Sequence, residues 1–307
     1  MKRSGKIVPI VSALLVAAFV GSVFSLNGVE AARGNQATLE EILYIPSAKT
    51  LKRMSLGYSG VLADIYWTRA VQYYGRKLST RRADLRYDLL PPLLDITTDL
   101  DPHLIVAYEF GSIFLSQRPP VGAGQPDKAV ALLEKGIRAN PDYWRLYFDL
   151  GFIHFFDRKD PKAAQQAFEK GSENPKALSW MKALAASMAE RANDPQTALN
   201  LWTKLYETTS DEMVKQNALQ HIEGLRTDLD VLELERRVRI YQERTGRLPT
   251  TWYEMMHQGL LGQVPLDPTD KPYKLMADGT VQVEDPDSLP FITQGLPPGW
   301  RKSTKPQ

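Results

Sequence analysis

When the chain is displaced against itself by 34 residues, its pattern of small and large apolar side chains returns. Gly151 falls on Ala185, Ala164 on Ala198, Phe168 on Trp202 and Gly171 on Leu205. The repeating unit, Trp144 to Pro175, reads as two amphipathic segments, WRLYFDLGFIHFF and KAAQQAFEKGSENP, parted by the polar break DRKDP. Small residues (Gly151, Ala164) stand where two helices must touch, with large apolar residues three or four positions away. A fixed period built from two helices predicts a stacked array, each unit burying its apolar face against its neighbours.

The units on either side carry the same marks. Upstream, HLIVAYEFGSIFLSQ and PDKAVALLEKGIRANP flank the loop RPPVGAGQ, which is long enough to be a surface feature. Ala129, Leu133, Gly136 and Pro141 there match Ala164, Phe168, Gly171 and roughly Pro175. Downstream lies SWMKALAASMAERANDPQTALNLWTKLYETT, the member reached by the 34-residue shift. Asp127, Asp160 and Asp194 precede the second helix of their units, beside Pro126, Pro161 and Pro195. Acid and proline are both favourable at a helix start. The first unit is looser. VLADIYWTRAVQYYG has a helical apolar face, a basic break runs from Arg76 to Arg86, and Pro91 and Pro92 of YDLLPPLLDITTDLDP suit a helix's first turn.

These residues resemble the tetratricopeptide repeat. Leu150-Gly151, Ala164, Phe168 and Pro175 fit its pattern, as do Phe110-Gly111, Phe114, Ala129 and Pro141. Ala70, Tyr73, Leu94 and Pro102 fit it loosely. The resemblance covers residues 59–210 and implies a mostly α fold, an α-solenoid of helix-turn-helix repeats. It also implies that the first helix of each pair lines a concave groove for an extended peptide or a helix. The groove positions carried over in this way are Trp67 and Tyr74, then Tyr108 and Leu115, then Phe148, Phe152 and Phe155, and finally Lys182 and Glu190. An aromatic face of this kind predicts a protein partner with apolar or aromatic side chains, unless the chain's own residues 34–58 or its C-terminal module fill the groove. The Lys/Asn/Arg set that captures an acidic C-terminus in this family is not among these positions.

The ends differ from the middle. Residues 1–33 open with Lys2, Arg3 and Lys6, followed by an uncharged run from Ile7 to Val29. That run suffices to cross about 30 Å of hydrocarbon. Val29-Glu30-Ala31 also offers a small-residue cleavage site, so a signal-anchor and a removed signal peptide are both open, the length favouring the anchor. Basic residues before the run and few just after it place the body outside the cytoplasm, the periplasm in a bacterium. Residues 34–58 read as a linker with a helical patch at Leu39 to Tyr44. After the repeats, 211–245 read as two capping helices, Asp211 to Leu225 and Leu229 to Arg244, ending at Gly246. Residues 246–285 read as a small α+β module with a short helix (Thr251 to Gln258) and a β-hairpin around Asp278-Gly279. Gly246, Pro249, Asp267, Pro268, Pro272 and Tyr273 give this module a resemblance to the C-terminal region of type II secretion pseudopilins, without the N-terminal prepilin motif. Thr269, Asp270 and Lys271 depart from that family's usual residues. Residues 286–307 read as a flexible tail.

Composition limits the chemistry. Net charge is +2, from 38 basic and 36 acidic residues, so no global field draws nucleic acid. There is no cysteine, hence no disulfide, thiolate metal site or thiol nucleophile. His103, His154, His221 and His257 are scattered, with no pair at ligand spacing. The Gly122-x-Gly124 loop lacks the Lys-Ser/Thr of a phosphate loop, and no hydrolase or metalloprotease motif occurs. The expectation is a non-catalytic scaffold without metal or cofactor, joining proteins at the periplasmic face of a bacterial inner membrane, in assembly of a pilus or secretion apparatus. Two other readings stay open: an enzyme or accessory subunit of envelope polysaccharide or peptidoglycan processing, and a self-assembling structural protein.

Overall fold

The computed structural model describes residues 47–80 and 86–301, with the isolated positions Ala17, Val20 and Gly21. The expected membrane-spanning or signal segment and the Leu39 to Tyr44 patch lie outside the described residues. Among the described residues, no helix is long and apolar enough to cross a membrane. The chain divides into two units, residues 1–57 and 58–307.

In the first unit, a short helix, α1 (Ala48–Met54), starts where the Ser47 hydroxyl accepts the Thr50 N–H. It has no buried residue and carries Lys49, Lys52 and Arg53. Nothing in the apolar spacing of residues 34–58 had singled it out.

The second unit is mostly helical. Its paired helices are α2 (Ser59–Thr80) with α3 (Leu90–Leu100), α4 (Ile105–Ser116) with α5 (Pro126–Ala139), α6 (Trp144–Phe152) with α7 (Pro161–Ser172), and α8 (Met181–Arg191) with α9 (Pro195–Thr208). Each pair also packs on the next. α4 meets α6 and α3 meets α5, so first helices form one layer and second helices another. This is the arrangement of an α-solenoid.

The local reasons are visible in the caps. Pro91, Pro126, Pro161 and Pro195 sit in the first turns of α3, α5, α7 and α9, where their missing N–H costs nothing. The Asp160 carboxylate accepts from Ala163 N–H at 2.9 Å, and Asp194 accepts from Thr197 N–H at 3.1 Å. Each thereby satisfies one of the orphan donors of its helix. The 34-residue shift is a packing relation. Ala164 and Ala198 are both fully buried, as are Phe168 and Trp202 in the same register on α7 and α9. Gly151 lets α6 approach α7: a Cβ there would sit 2.5 Å from the Phe168 ring. The first turn after α6, Ile153–Asp157, is a π-helical turn.

The two capping helices expected over 211–245 are one helix, α10 (Glu212–Thr245), of 34 residues. Between the two expected helices lie Arg226, Thr227 and Asp228, and Thr and Asp side chains compete with a helix for hydrogen bonds. Here Thr227 bonds back to Glu223 O at 2.9 Å, inside the helix. Asp228 is buried and accepts from the backbone of Thr293 and Gln294, both at 2.8 Å. The first half of α10 packs through Ala218, Ile222 and Leu225 on α9, while Val231, Leu234, Val238 and Tyr241 on its second half enter the core of the C-terminal module. The helix ends at Gly246, which takes the left-handed conformation, φ 78°.

That module holds α11 (Trp252–His257) and the antiparallel hairpin of β1 (Lys274–Leu275) and β2 (Val281–Gln282), in register Lys274 to Gln282. Trp252 Nε1–H donates to Tyr273 O at 2.8 Å, tying α11 to the strand start. The Asp267 carboxylate is buried and accepts from Thr269 and Lys271 N–H, which organises the turn before β1. The reading of 286–307 as a flexible tail is corrected for its described part. A 3₁₀ turn at Pro286–Ser288 leads to Leu289 and Ile292, which are buried in the module's core. Two apolar anchors four residues or fewer apart outweigh the prolines around them.

Candidate protein-binding face

The layer of first helices carries an aromatic surface in two clusters. In the first, the rings of Trp67 and Tyr74 on α2 stack on Phe114 of α4, with centroids 6.2 and 3.9 Å away and planes within 5° and 14° of parallel. The Tyr74 hydroxyl donates to Val121 O at 2.7 Å, and the buried Tyr87 donates to Pro120 O at 2.9 Å. The loop, a surface feature as expected, also seats two tyrosines. Burial raises the Tyr74 phenol above its ordinary range. Phe110, one turn before Phe114, is 48% exposed.

The second cluster follows α6. Phe148 meets Phe152 edge to face at 4.6 Å and Trp180 at 5.5 Å. Phe152 stacks on Phe156 at 5.6 Å with planes 6° apart, and Phe155 touches Phe156 at 4.8 Å. The Arg191 guanidinium lies over the Phe155 ring at 5.3 Å. Such pairs favour these offset and edge-to-face geometries because the ring faces are negative and the edges positive. The outermost rings are Phe156, 55% exposed, and Trp180, 43% exposed.

Of the residues expected in the groove, Trp67, Tyr74, Phe148, Phe152 and Phe155 are half-buried members of these clusters. Tyr108 and Leu115 are corrected: both are buried in the core. The Tyr108 ring lies beside Gly136 of α5, and burial pushes its phenol up to about 12. On α4, IVAYEFGSIFLS, the polar Ser112 and Ser116 are buried while Phe110 and Ile113 are exposed, so the apolar spacing does not mark the inner face. Lys182 is corrected too. It lines a separate cavity of about 270 Å³ with Glu169 of α7, Glu173 just past its end and Lys204 of α9, in the other layer's direction, and its ammonium reaches Thr208 Oγ1 at 3.5 Å. Glu190 also turns inward, accepting from Trp202 Nε1–H at 2.5 Å and pairing with His221 Nδ1 at 2.8 Å.

Sequence reasoning missed Phe110, Ile113, Phe156 and Asp149. The signal for Phe156 was available, four residues after Phe152 on the same stripe. The π turn sets where that stripe ends. Between α4 and α6 a cavity of about 310 Å³ is walled by Ser112, Ile113 and Ser116 on one side and by Asp149, Phe152 and Phe156 on the other. Burial pushes the Asp149 carboxyl up to about 7, with Glu109 adding to the rise and Arg145 opposing it. Among the described residues, no group of three or more His, Asp or Glu is placed to hold a metal ion. The face offers contact area and one perturbed carboxyl, a set suited to gripping a chain. Compared with known families and with curated proteins, the chain matches no family model, and no curated sequence matches it.

Proposed function

We propose that this chain is a non-catalytic, tetratricopeptide-like scaffold that grips another polypeptide on the face formed by α2, α4, α6 and α8. The observation that carries this reading is the aromatic run across that layer, with Phe110, Phe156 and Trp180 left open at its outer edge. Contiguous apolar area of this kind is costly to leave in water and marks contact surfaces. Its aromatic content suits the anchors that dominate binding energy at protein interfaces. The uncharged run from Ile7 to Val29 supports tethering to a membrane, with the body on the periplasmic side. The pseudopilin resemblance of the C-terminal module supports a place beside a pilus or secretion apparatus.

The test is site-specific photocrosslinking in intact cells, with a benzophenone amino acid at Phe156 and, as a control, at Tyr253, which is 64% exposed on α11. The scaffold reading expects a discrete adduct from position 156 that is lost in the Phe152→Ala, Phe155→Ala double variant. Adducts of equal yield with and without those substitutions would sink it. Protease digestion of spheroplasts tests the location: the body should be cleaved before the membrane is opened.

A further inference from the structure

The cavity between α4 and α6 is apolar along its rims and acidic in one wall. Ile113 is 39% exposed on one rim, and Phe156 stands on the other. Between them is Asp149, largely withdrawn from water, whose carboxylate accepts no hydrogen bond and forms no ion pair among the described residues. The local cations are engaged elsewhere. Arg145, one turn earlier on α6, reaches across to Glu109 of α4 at 3.3 Å, and the Tyr143 hydroxyl goes to the same Glu109 at 3.4 Å. Arg158, just past the π turn, pairs with Asp127 of α5 at 3.3 Å. Asp157 adds a second carboxylate to the cavity lining, and no basic side chain lines it. His154, on the same turn, is held toward its neutral form by burial and by Arg158.

A half-buried carboxylate with no side-chain partner is unfavourable, and taking up a proton or meeting a cation relieves it. Burial and the neighbouring Glu109 raise the Asp149 carboxyl to about 7, against the opposing pull of Arg145. Resting on the scaffold reading above, we propose that this groove binds a polypeptide segment whose lysine or arginine pairs with Asp149 while flanking apolar side chains cover Ile113 and Phe156. The charge of the groove selects the cation. The extent of apolar surface selects a chain over a small amine, because open aromatic area continues to Phe110 on α4 and to Trp180 beside α8. The partner is therefore a segment in which one basic residue is embedded among large apolar ones, the opposite of an acidic C-terminus.

The pairing is also a titration. A cation in the groove favours the ionised carboxyl, so binding should strengthen as pH rises through about 7. The groups that set this response are Asp149 and Arg145 on α6, Glu109 on α4, and His154, Asp157 and Arg158 at the π turn.

The test uses the full chain in lipid nanodiscs and a fluorescein-labelled nonapeptide with a central arginine flanked by leucine and phenylalanine. Two companion peptides carry citrulline or glutamate at the centre. The arginine peptide should bind about tenfold tighter than the citrulline peptide at pH 8, and the gap should narrow at pH 6. Asp149→Asn should erase the gap. Phe156→Ala should weaken all three peptides. Equal binding of arginine and citrulline peptides to the wild-type chain would overturn the cation pairing and leave the apolar scaffold face standing. Binding of none would overturn both. Preference for the glutamate peptide would reverse the assignment.

Discussion

The His221 ring lies flat against the Phe291 ring, with centroids 3.7 Å apart and planes 12° from parallel. Trp202 covers the other side of the imidazole at 4.1 Å. One stack therefore draws together α9, α10 and the segment after the hairpin. Glu190 of α8 holds two of its members from the side.

That carboxylate should matter more as an acceptor than as a charge. Glu190→Ala strands the indole N–H of the buried Trp202, a loss of about 1–3 kcal/mol. Glu190→Gln retains an acceptor and should lose markedly less. Urea unfolding followed by tryptophan fluorescence checks this, and equal losses for the two variants would show that the acceptor is not what matters.

Asp149 gives a pH signature in the free protein. Its folded carboxyl, at about 7, lies above the ordinary value of 3.8, so the folded state holds the proton more tightly than the unfolded state. The stability this contributes is fully present below about pH 4 and is lost as pH rises toward and through 7. Asp149→Asn removes the dependence. Its Tm should match wild type near pH 3.5 and exceed it at pH 8, by the equivalent of roughly 2–4 kcal/mol. A variant less stable than wild type at pH 8 would contradict the assignment.

Two glycines should respond in opposite directions to the same change. Gly151→Ala forces a methyl into the Phe168 ring and should cost roughly 1–3 kcal/mol. Gly75, exposed on α2 with nothing within 4 Å of a built Cβ, should gain about 0.5–1 kcal/mol on substitution by alanine. Calorimetry of the two single variants decides it.

Where sequence and structure agree, the residues involved have a single packing solution. Ala164, Phe168, Ala198 and Trp202 are buried between successive helices, so period and contact coincide. Gly246 and Asp278-Gly279 were legible because helix ends and tight turns demand those residue types. The outer face of the array was less legible. Tyr108 and Leu115 sit on a helix that buries two serines and exposes Phe110 and Ile113, so apolar spacing points the wrong way, and positions carried over from a resemblance inherit a rotation that α4 does not keep. Asp149 was invisible for another reason. A carboxylate in a run of aromatics reads as a solvated residue until the opposite wall, contributed by α4, is in place. The continuity of α10 and the seating of Leu289 depend on contacts with Asp228 and Val231 some 60 residues away in sequence, which no local pattern carries.

Leu289 puts the docked tail to the test. It is fully buried, so Leu289→Ala should cost about 2–5 kcal/mol. The loss should appear together with faster hydrogen exchange in α11 and β2, which share its core. Wild-type stability in this variant would return the segment to the status of a loose end.

α10 is usefully seen as a strut. Its 34 residues make a rod of about 50 Å, with the last repeat packed on one half and the C-terminal module built around the other. It contains no proline, and its one internal glycine, Gly224, is pressed against Phe291. There is thus no joint at which the two ends can turn independently. Anything that pulls on the hairpin module loads the repeat array directly, the two moving as one piece of mechanical linkage.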